Sequence, residues 1–144
     1  MEKLSGVCGV LFRLHHDELQ VLLVIEKEGD PLLRKKRGMI TIPMGRKKQR
    51  ETAEDAATRE FREETGREVE IVCPIKGITE YPTINGTIPF RAFVVRLKNE
   101  ASVDSTRGEL ETRFLIVEEF LAFPDEKVRP LAKEIVRLAL LPSK

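Results

Sequence analysis

The stretch REFREETG (59–66) is charged at five of its first six positions, and it gives the strongest indication of the fold. If this stretch is helical, Glu60, Glu63 and Glu64 stand at positions i, i+3 and i+4, which gathers three carboxylates in one place. Like charges at this spacing destabilise a helix by roughly 0.2–0.5 kcal/mol per pair. We therefore expect the three carboxylates to serve a purpose that offsets their repulsion.

The residues around this stretch predict where the helix begins and ends. Thr52 is a favourable N-cap, and Asp55 follows it in the position of a capping box. Glu54, in the first turn, interacts favourably with the helix dipole. Gly66 is a favourable residue just beyond a helix end, because glycine readily adopts a positive φ. Together these signals predict a helix over about 53–65.

A helical wheel places two of the glutamates on the packed side of this helix. At about 100° per residue, Glu60 and Glu64 continue the stripe of Ala53 and Ala57, while Arg62 points the opposite way. A carboxylate taken out of water is costly unless it is neutralised or meets a cation. An acidic surface helix with Arg–Glu pairs is the usual alternative, but it would place the glutamates opposite the alanines. Clustered oxygen ligands without His or Cys favour Mg²⁺ or Mn²⁺.

Charge is unevenly distributed along the chain, although the net charge is only +1. Residues 31–50 contain eight basic residues and no acid, whereas residues 51–70 contain eight acids. Two solvated faces that cancel one another would explain this pattern, and so would a site for a polyanion and its cations. Because protein-bound Mg²⁺ commonly shares its ligand shell with phosphates, the second interpretation indicates phosphate chemistry.

Length and composition predict a single globular domain over residues 1–144. Apolar residues make up 41% of the sequence and charged residues 34%, and no run approaches the 18 or so apolar residues of a membrane helix. The N-terminal MEKLSGVCGVLF is a poor secretory signal and is typical of a first strand. Cys8 and Cys73 have apolar neighbours, so we expect reduced core thiols and a cytoplasmic location.

Periodicity predicts an α/β domain of the α+β kind, with a mixed, hairpin-rich sheet, a central helix and a C-terminal helix. HHDE (15–18) and the Asn-Gly in PTINGT (82–87) predict hairpins. In the C-terminal helix, Pro130 suits the first turn, Pro142 the stop, and Leu131, Ile135 and Leu138 the core stripe. Strands are predicted over 6–14, 19–27, 39–43, 69–81, 87–97 and 113–117, one or two helical turns over 118–123, and the C-terminal helix over 129–142.

The spacing of the acidic helix and the loop before it resembles the Nudix box, G-x5-E-x7-R-E-U-x-E-E-x-G-U, where U is a bulky apolar residue. All seven fixed positions match, from Gly45 and Glu51 to Gly66. Two positions depart from the common pattern: Arg67 occupies the closing apolar position, and Met44 replaces the first glycine of Pro-Gly-Gly. The order of strands and helices also fits the family, so the resemblance implies a Nudix-like α/β/α sandwich.

The resemblance implies a role for each position of the box. Glu60 and Glu64 would be the principal ligands of Mg²⁺ or Mn²⁺, Glu63 would bridge or complete the cluster and take part in catalysis, and Met44 would add a backbone carbonyl. Arg59 would orient the glutamates, and Glu51 would brace the loop. The structural positions implied by the box are Gly45, Glu51, Arg59 and Gly66.

The family often adds a glutamate from a loop beyond the box, as general base or as an extra ligand. STRGELETRFLIVEEF (105–120) is similar to the segment that supplies it, which makes Glu109 the first candidate and Glu111 the second. A solvated acid at a strand edge is the alternative for either residue.

Residues outside the box are candidates for binding the substrate. Extra phosphates would be held by the basic residues, and a base would stack on Tyr81 or on Phe90, although core packing is the default for Phe90. The expected partner is a small nucleotide. Nucleic acid is not expected, because aromatic residues are not interleaved with the basic ones; a membrane is not expected either, and a homodimer stays open. The candidate substrate-binding residues are Arg34, Arg37, Arg46, Lys47 and Tyr81.

The family hydrolyses nucleoside diphosphates linked to another group X. The compact size resembles members that act on nucleoside triphosphates or dinucleoside polyphosphates, whereas members that cleave ADP-ribose usually carry an extra N-terminal segment. An ADP-ribose or nucleotide-sugar pyrophosphatase, an RNA-end-processing enzyme and a non-catalytic nucleotide sensor are the alternatives. The complete set of Glu60, Glu63 and Glu64 speaks against the sensor, because degenerate members tend to lose one of these residues.

Overall fold

A computed structural model describes residues 3–100 and 107–141 of the chain. The predicted helix stop at Pro142 lies outside these residues. No helix in the described part of the chain combines the length and the apolar character that a membrane span requires. The strands are β1 (Gly6–His15), β2 (Glu18–Ile25), β3 (Ile40–Thr41), β4 (Met44–Arg46), β5 (Val69–Ile75), β6 (Glu80–Thr83), β7 (Gly86–Leu97) and β8 (Glu111–Ile116); the helices are α1 (Ala53–Thr65), α2 (Val117–Leu121) and α3 (Ala132–Ala139).

Strand β1 lies at the centre of a mixed sheet. It pairs antiparallel with β2 and β4 and parallel with β7. Strand β7 also pairs antiparallel with β5 and β6, and β2 pairs antiparallel with β3 and β8. Residues 6–11 of β1 are all buried. This uninterrupted burial is typical of a strand whose sheet is covered on both faces.

Successive residues of β1 point into two separate cores, because side chains alternate between the faces of a strand. Val7 and Leu11 pack on the side of α1, whereas Cys8 and Val10 pack on the side of α2 and α3. The predicted α/β/α sandwich is therefore confirmed. Cys8 and Cys73 are both free, and burial raises the pKa of the Cys8 thiol.

Both predicted hairpins form. His16 and Asp17 join β1 to β2 with φ angles of 50° and 63°, which is the left-handed geometry that a two-residue turn requires. Between β6 and β7 the register pairs Thr83 with Gly86, and Gly86 has a φ of 138°. The glycine of the Asn-Gly pair therefore occupies the position that a residue with a Cβ tolerates poorly.

Three predicted elements differ most from the structure in their bounds. The predicted strand over 69–81 is divided into β5 and β6 around Gly77, whose φ is 99°. Of the predicted strand over 39–43, only Ile40 and Thr41 form a strand, β3, which pairs with β2; a separate strand that was not predicted, β4, follows and pairs with β1. The C-terminal helix begins at Ala132 rather than at residue 129, because Leu131 has a left-handed φ of 72° that interrupts helical geometry.

Candidate functional site

Helix α1 has the bounds that its sequence predicts, and both of its caps are formed. The Thr52 hydroxyl accepts a hydrogen bond of 3.0 Å from the Asp55 N–H, and Gly66, with a φ of 73°, donates its N–H to the Arg62 carbonyl. The alanine side of the helix packs against the sheet, and Phe61 is fully buried there. Glu64 lies on this packed side and is only 7% exposed.

Arg59 holds three glutamates on the accessible side of α1. Its Nε and Nη2 donate to the two carboxylate oxygens of Glu51 at 2.6 and 2.9 Å. Its Nη1 donates to Glu60 Oε1 at 2.9 Å and to Glu63 Oε2 at 3.1 Å. Because one cation faces three anions, much of the repulsion within the acidic cluster is offset locally.

The pKa of Glu51 reflects this arrangement. Hydrogen bonds from the Arg59 side chain, and a further one of 2.8 Å from the Lys48 N–H, stabilise the carboxylate and lower its pKa to about 2. The same contact with Glu51 raises the pKa of Arg59. Glu51 therefore stays ionised and braces the loop before α1 against the helix.

Glu64 has the opposite surroundings. Its Oε1 is buried and has no hydrogen-bond partner among the described residues. Burial raises its pKa well above the usual range, and the negative charges of Glu60 and Glu26 raise it further. A buried carboxylate beside two others is stable only when it is protonated or when a cation is present.

The chemistry of these side chains fits a hard divalent cation, although the described residues do not show a preformed cage. No group of three or more His, Cys, Asp and Glu side chains within residues 3–100 and 107–141 is arranged to hold a metal ion. Glu60 and Glu63 are turned toward Arg59 instead. The unpartnered oxygen of Glu64, next to a second carboxylate in the same cavity wall, is nevertheless the donor that Mg²⁺ or Mn²⁺ prefers.

Gly45 allows Glu60 to lie close to the backbone of β4. A Cβ atom at this position would collide with the carboxyl group of Glu60. Met44, next to it, is buried and lines two cavities, described below, that Glu60 and Glu64 also line. The structure thus gives a steric reason for the glycine that opens the motif.

The loop before β8 brings Glu109 to the acidic end of α1. The Glu109 N–H donates to the Glu63 carbonyl at 2.9 Å, and the Leu110 N–H donates to the Glu64 carbonyl at 3.0 Å. Glu109 lines a cavity of about 310 Å³ together with Glu60 and Glu64. Glu111 is exposed and forms an ion pair of 2.8 Å with Arg113 instead.

Gly108, which was not predicted as a site residue, allows the loop before β8 to lie against the end of α1. A Cβ atom at Gly108 would collide with the backbone of Glu64 and Thr65. The last carbonyl groups of a helix require donors from outside the helix, and a Gly-Glu-Leu segment that docks there supplies them. The glycine immediately before Glu109 was the one feature of the sequence that could have indicated this close backbone contact.

A second cavity of about 270 Å³ is also lined by Glu60 and Glu64. Its charged lining includes Lys35 and Arg46, and Arg46 Nη2 lies 3.7 Å from Asp30 Oδ2. Apolar side chains, among them Ile88 and Phe90, form another part of its lining. The cavity therefore combines acidic, basic and apolar walls, as a site for a charged molecule with an apolar portion requires.

Of the five candidate substrate-binding residues, two line the 270 Å³ cavity and three do not. Arg46 and Tyr81 line the 270 Å³ cavity, but Tyr81 is only 1% exposed and its hydroxyl donates to the Leu33 carbonyl. Arg34 donates to the Thr83 carbonyl at 3.3 Å, and Lys47 donates to the Lys48 carbonyl at 3.3 Å. Arg34 and Arg37 are exposed, Lys47 is half-buried, and none of the three belongs to the lining of this cavity.

A buried charged cluster beside the site was also not predicted from the sequence. Glu26 and Arg129 are both almost fully buried, and Lys35 lies 3.0 Å from the Glu26 carboxylate. Lys35 and Arg129 line the 270 Å³ cavity. Glu26 directly follows β2, Lys35 lies between β2 and β3, and Arg129 precedes α3, so only the tertiary fold brings them together.

Comparisons with known proteins give the family and the fold. A family model described as NUDIX domain matches residues 3–138. A NUDIX hydrolase from Nitrosomonas europaea is similar with a TM-score of 0.74 at 19% identity, over 96% of this chain and 88% of that chain. The C. elegans Ap4A hydrolase is similar with a TM-score of 0.67 at 16% identity, over 96% of each chain.

A further similar structure is the NUDIX domain of Shewanella oneidensis NrtR complexed with ADP ribose. It has a TM-score of 0.70 at 17% identity, over 96% of this chain and 87% of that chain. The search of curated proteins gives no match. At these identities the solved structures establish the fold, and the family model covers almost the whole chain.

Proposed function

The chain belongs to the NUDIX family of hydrolases, and we propose that this member cleaves a phosphoanhydride bond in a nucleoside triphosphate or a dinucleoside polyphosphate. The observation that carries this proposal is the buried carboxylate of Glu64, whose Oε1 has no partner among the described residues, beside Glu60 in the wall of a cavity that also contains basic residues. Such a combination suits a divalent cation and a polyphosphate in adjacent positions.

NUDIX proteins in general use divalent metal ions, and we propose Mg²⁺ or Mn²⁺ for this one. Glu60, Glu63 and Glu64 would hold the cation, with the carbonyl group of Met44. When bound, a cation of this kind neutralises diphosphate charge and lowers the pKa of the attacking water. The contribution of the protein is to place the ligands and to move the proton.

Arg59 positions the ligands without contacting the phosphates. Its hydrogen bonds fix Glu51, Glu60 and Glu63 relative to one another, which reduces the reorganisation that accompanies binding. Glu109, docked by its own N–H on the Glu63 carbonyl, is proposed as the general base that accepts the proton of the attacking water. Glu63 is the second candidate for this role.

The cavity limits how much of the substrate is enclosed. Ligand pockets of about 300–1,000 Å³ hold drug-sized molecules. The cavity of about 270 Å³ is therefore suited to one nucleotide portion, with its base against Ile88. The remaining phosphates and the group X would lie outside, where the exposed Arg34, Arg37 and Arg46 and the half-buried Lys47 supply positive charge.

The C. elegans Ap4A hydrolase, which has a similar fold over almost its whole length, supports a dinucleoside polyphosphate. The NrtR NUDIX domain, complexed with ADP ribose, supports the alternative of an ADP-ribose or nucleotide-sugar pyrophosphatase. The two proposals predict different products. Hydrolysis of a dinucleoside polyphosphate gives two nucleotides, whereas an ADP-ribose pyrophosphatase releases AMP and ribose 5-phosphate. A nucleotide sensor would bind these compounds and release nothing.

The proposal is tested by a screen of nucleoside triphosphates, dinucleoside polyphosphates and ADP-ribose with Mg²⁺ and with Mn²⁺, read as released phosphate and as AMP. We expect turnover of at least one phosphoanhydride, and its loss by at least about 100-fold in Glu63→Gln. Glu109→Gln should lower turnover by about 100-fold or more, whereas Glu111→Gln is the matched control and should leave it unchanged. Absence of turnover together with ligand-induced shifts of the melting temperature would favour the sensor.

A further inference from the structure

Arg129 is a buried cation in the wall of the 270 Å³ cavity, and no position of the Nudix box accounts for it. It is 6% exposed, and it lines the cavity together with Glu60 and Glu64. A charged side chain is rarely buried to this extent unless it is paired and hydrogen-bonded. The partners of Arg129 therefore determine whether its guanidinium group is available to a ligand.

The guanidinium group uses few of its donors within the described residues. Its Nε donates to the Tyr81 hydroxyl at 3.1 Å, and the guanidinium carbon lies 5.3 Å from the centre of the Tyr81 ring. Its Nη1 lies 3.8 Å from Glu26 Oε1, which is beyond hydrogen-bonding distance. An arginine carries five N–H donors in a planar fork, so the Nη end still has capacity for an acceptor in the cavity.

Glu26 does not use up the charge of Arg129, because Lys35 is its nearer partner. Lys35 Nζ lies 3.0 Å from Glu26 Oε2. Glu26 is thus shared by two cations, both of which line the cavity. The trio of Glu26, Lys35 and Arg129 therefore carries net positive charge beside the cavity that Glu60 and Glu64 also line.

The backbone around Arg129 is fixed for this placement. Its N–H donates to the Ile40 carbonyl at 3.1 Å, and Val128 forms a parallel bridge with Ile40. Two residues later Leu131 adopts a φ of 72°, an unfavourable conformation for a residue with a Cβ. This turn ends the extended segment at the cavity before α3 begins, and strained residues of this kind concentrate at functional sites.

We propose that the Nη fork of Arg129 binds a phosphoryl group of the nucleotide substrate, inside the cavity and next to the site of the divalent cation. Arginine suits this role because its fork matches two phosphoryl oxygens at once, and the hydrogen bond from Nε to Tyr81 fixes one edge of the guanidinium group. Arg129 would thereby distinguish a nucleoside polyphosphate from a nucleoside. The inference rests on the proposed function and names a residue that recognises its substrate.

The test compares the affinity of Arg129 variants for methylenediphosphonate, a diphosphate analogue that is not hydrolysed, and for adenosine, each in the presence of Mg²⁺. Calorimetry on Arg129→Gln should show the dissociation constant for methylenediphosphonate raised about 10- to 100-fold, with the constant for adenosine unchanged. Arg129→Lys, which keeps the charge and loses the fork, should be intermediate. Arg137→Gln, an exposed arginine of α3, is the matched control and should bind as the wild type does.

Removal of a buried arginine also leaves Glu26 with one partner fewer, so the melting temperature of each variant is measured alongside. If Arg129→Gln does not fold, the double variant Glu26→Gln/Arg129→Gln removes both charges and takes its place. Equal affinity of folded variant and wild type for methylenediphosphonate would overturn the inference, even if the wild type hydrolyses nucleotides. Failure of the wild type to hydrolyse any nucleotide would overturn the proposed function, whereas the binding comparison would still decide the role of Arg129.

Discussion

Glu51 and Glu64 belong to the same acidic segment, residues 51–70, and their carboxylates have opposite surroundings. Glu51 accepts three hydrogen bonds from Arg59 and Lys48, which lower its pKa to about 2. Glu64 is buried, has one oxygen without a partner among the described residues, and has its pKa raised by burial and by Glu60. A satisfied carboxylate stabilises the fold, whereas an unsatisfied buried one indicates an external ligand.

The largest effect is expected from removing the unsatisfied carboxylate. Glu64→Gln should lower metal-dependent turnover by at least about 100-fold, because it deletes a proposed ligand. The melting temperature without added metal should stay the same or rise, because the change removes a buried group that repels Glu60 and Glu26. Phosphate release and thermal unfolding measure the two effects. A large loss of stability together with unchanged turnover would reverse the roles assigned to Glu51 and Glu64.

A smaller effect on turnover, with a clear effect on stability, is expected from Arg59→Met. The variant leaves Glu51, Glu60 and Glu63 without their common cation, so the free energy of unfolding should fall by about 1.5–3 kcal/mol. Turnover should fall about 10- to 100-fold because the ligands lose their orientation. Denaturant unfolding and kinetic assays check both values.

Arg62→Met is the matched control for this experiment, since Arg62 is exposed on the opposite side of α1. It should change the free energy of unfolding by no more than about 0.5 kcal/mol. If the Arg59 and Arg62 variants are equally stable, the hydrogen bonds around Arg59 contribute nothing measurable and the comparison between Glu51 and Glu64 loses its basis.

The smallest effect is expected from Glu51→Gln, and it depends on pH. The folded pKa of Glu51 is lowered to about 2, below the value of about 4.3 for an unperturbed glutamate. The stability from its ionised form is therefore present above about pH 4.3 and is lost as the pH falls toward 2. Near pH 7 we expect Glu51→Gln to be less stable than the wild type by about 1 kcal/mol. Urea unfolding of both proteins between pH 7 and 3 should show this difference shrinking; a difference that grows on acidification would have the wrong sign.

The sequence predicted those parts of the structure that depend on neighbouring residues. The bounds of α1 follow from Thr52 and Gly66, which act within one helical turn, and the burial of Glu64 follows from the periodicity of the alanines. The two hairpins likewise follow from local turn residues. In each case the information lies within a few positions of the element.

The missed parts depend on contacts between distant segments. Arg129 reaches the cavity because Val128 bridges to Ile40, and the left-handed turn at Leu131 moves the start of α3. Gly108 matters only because its backbone lies against that of Glu64. No periodicity or motif carries such information, since the partners are far apart in the chain.

The most direct test of the central claim is the affinity for Mn²⁺, measured from the electron paramagnetic resonance signal of the free ion. We predict that the wild type and the Glu111→Gln control bind Mn²⁺ equally, and that Glu64→Gln raises the dissociation constant at least about tenfold. If Glu64→Gln binds Mn²⁺ as tightly as the wild type, Glu64 is not a metal ligand and its buried carboxylate has another explanation.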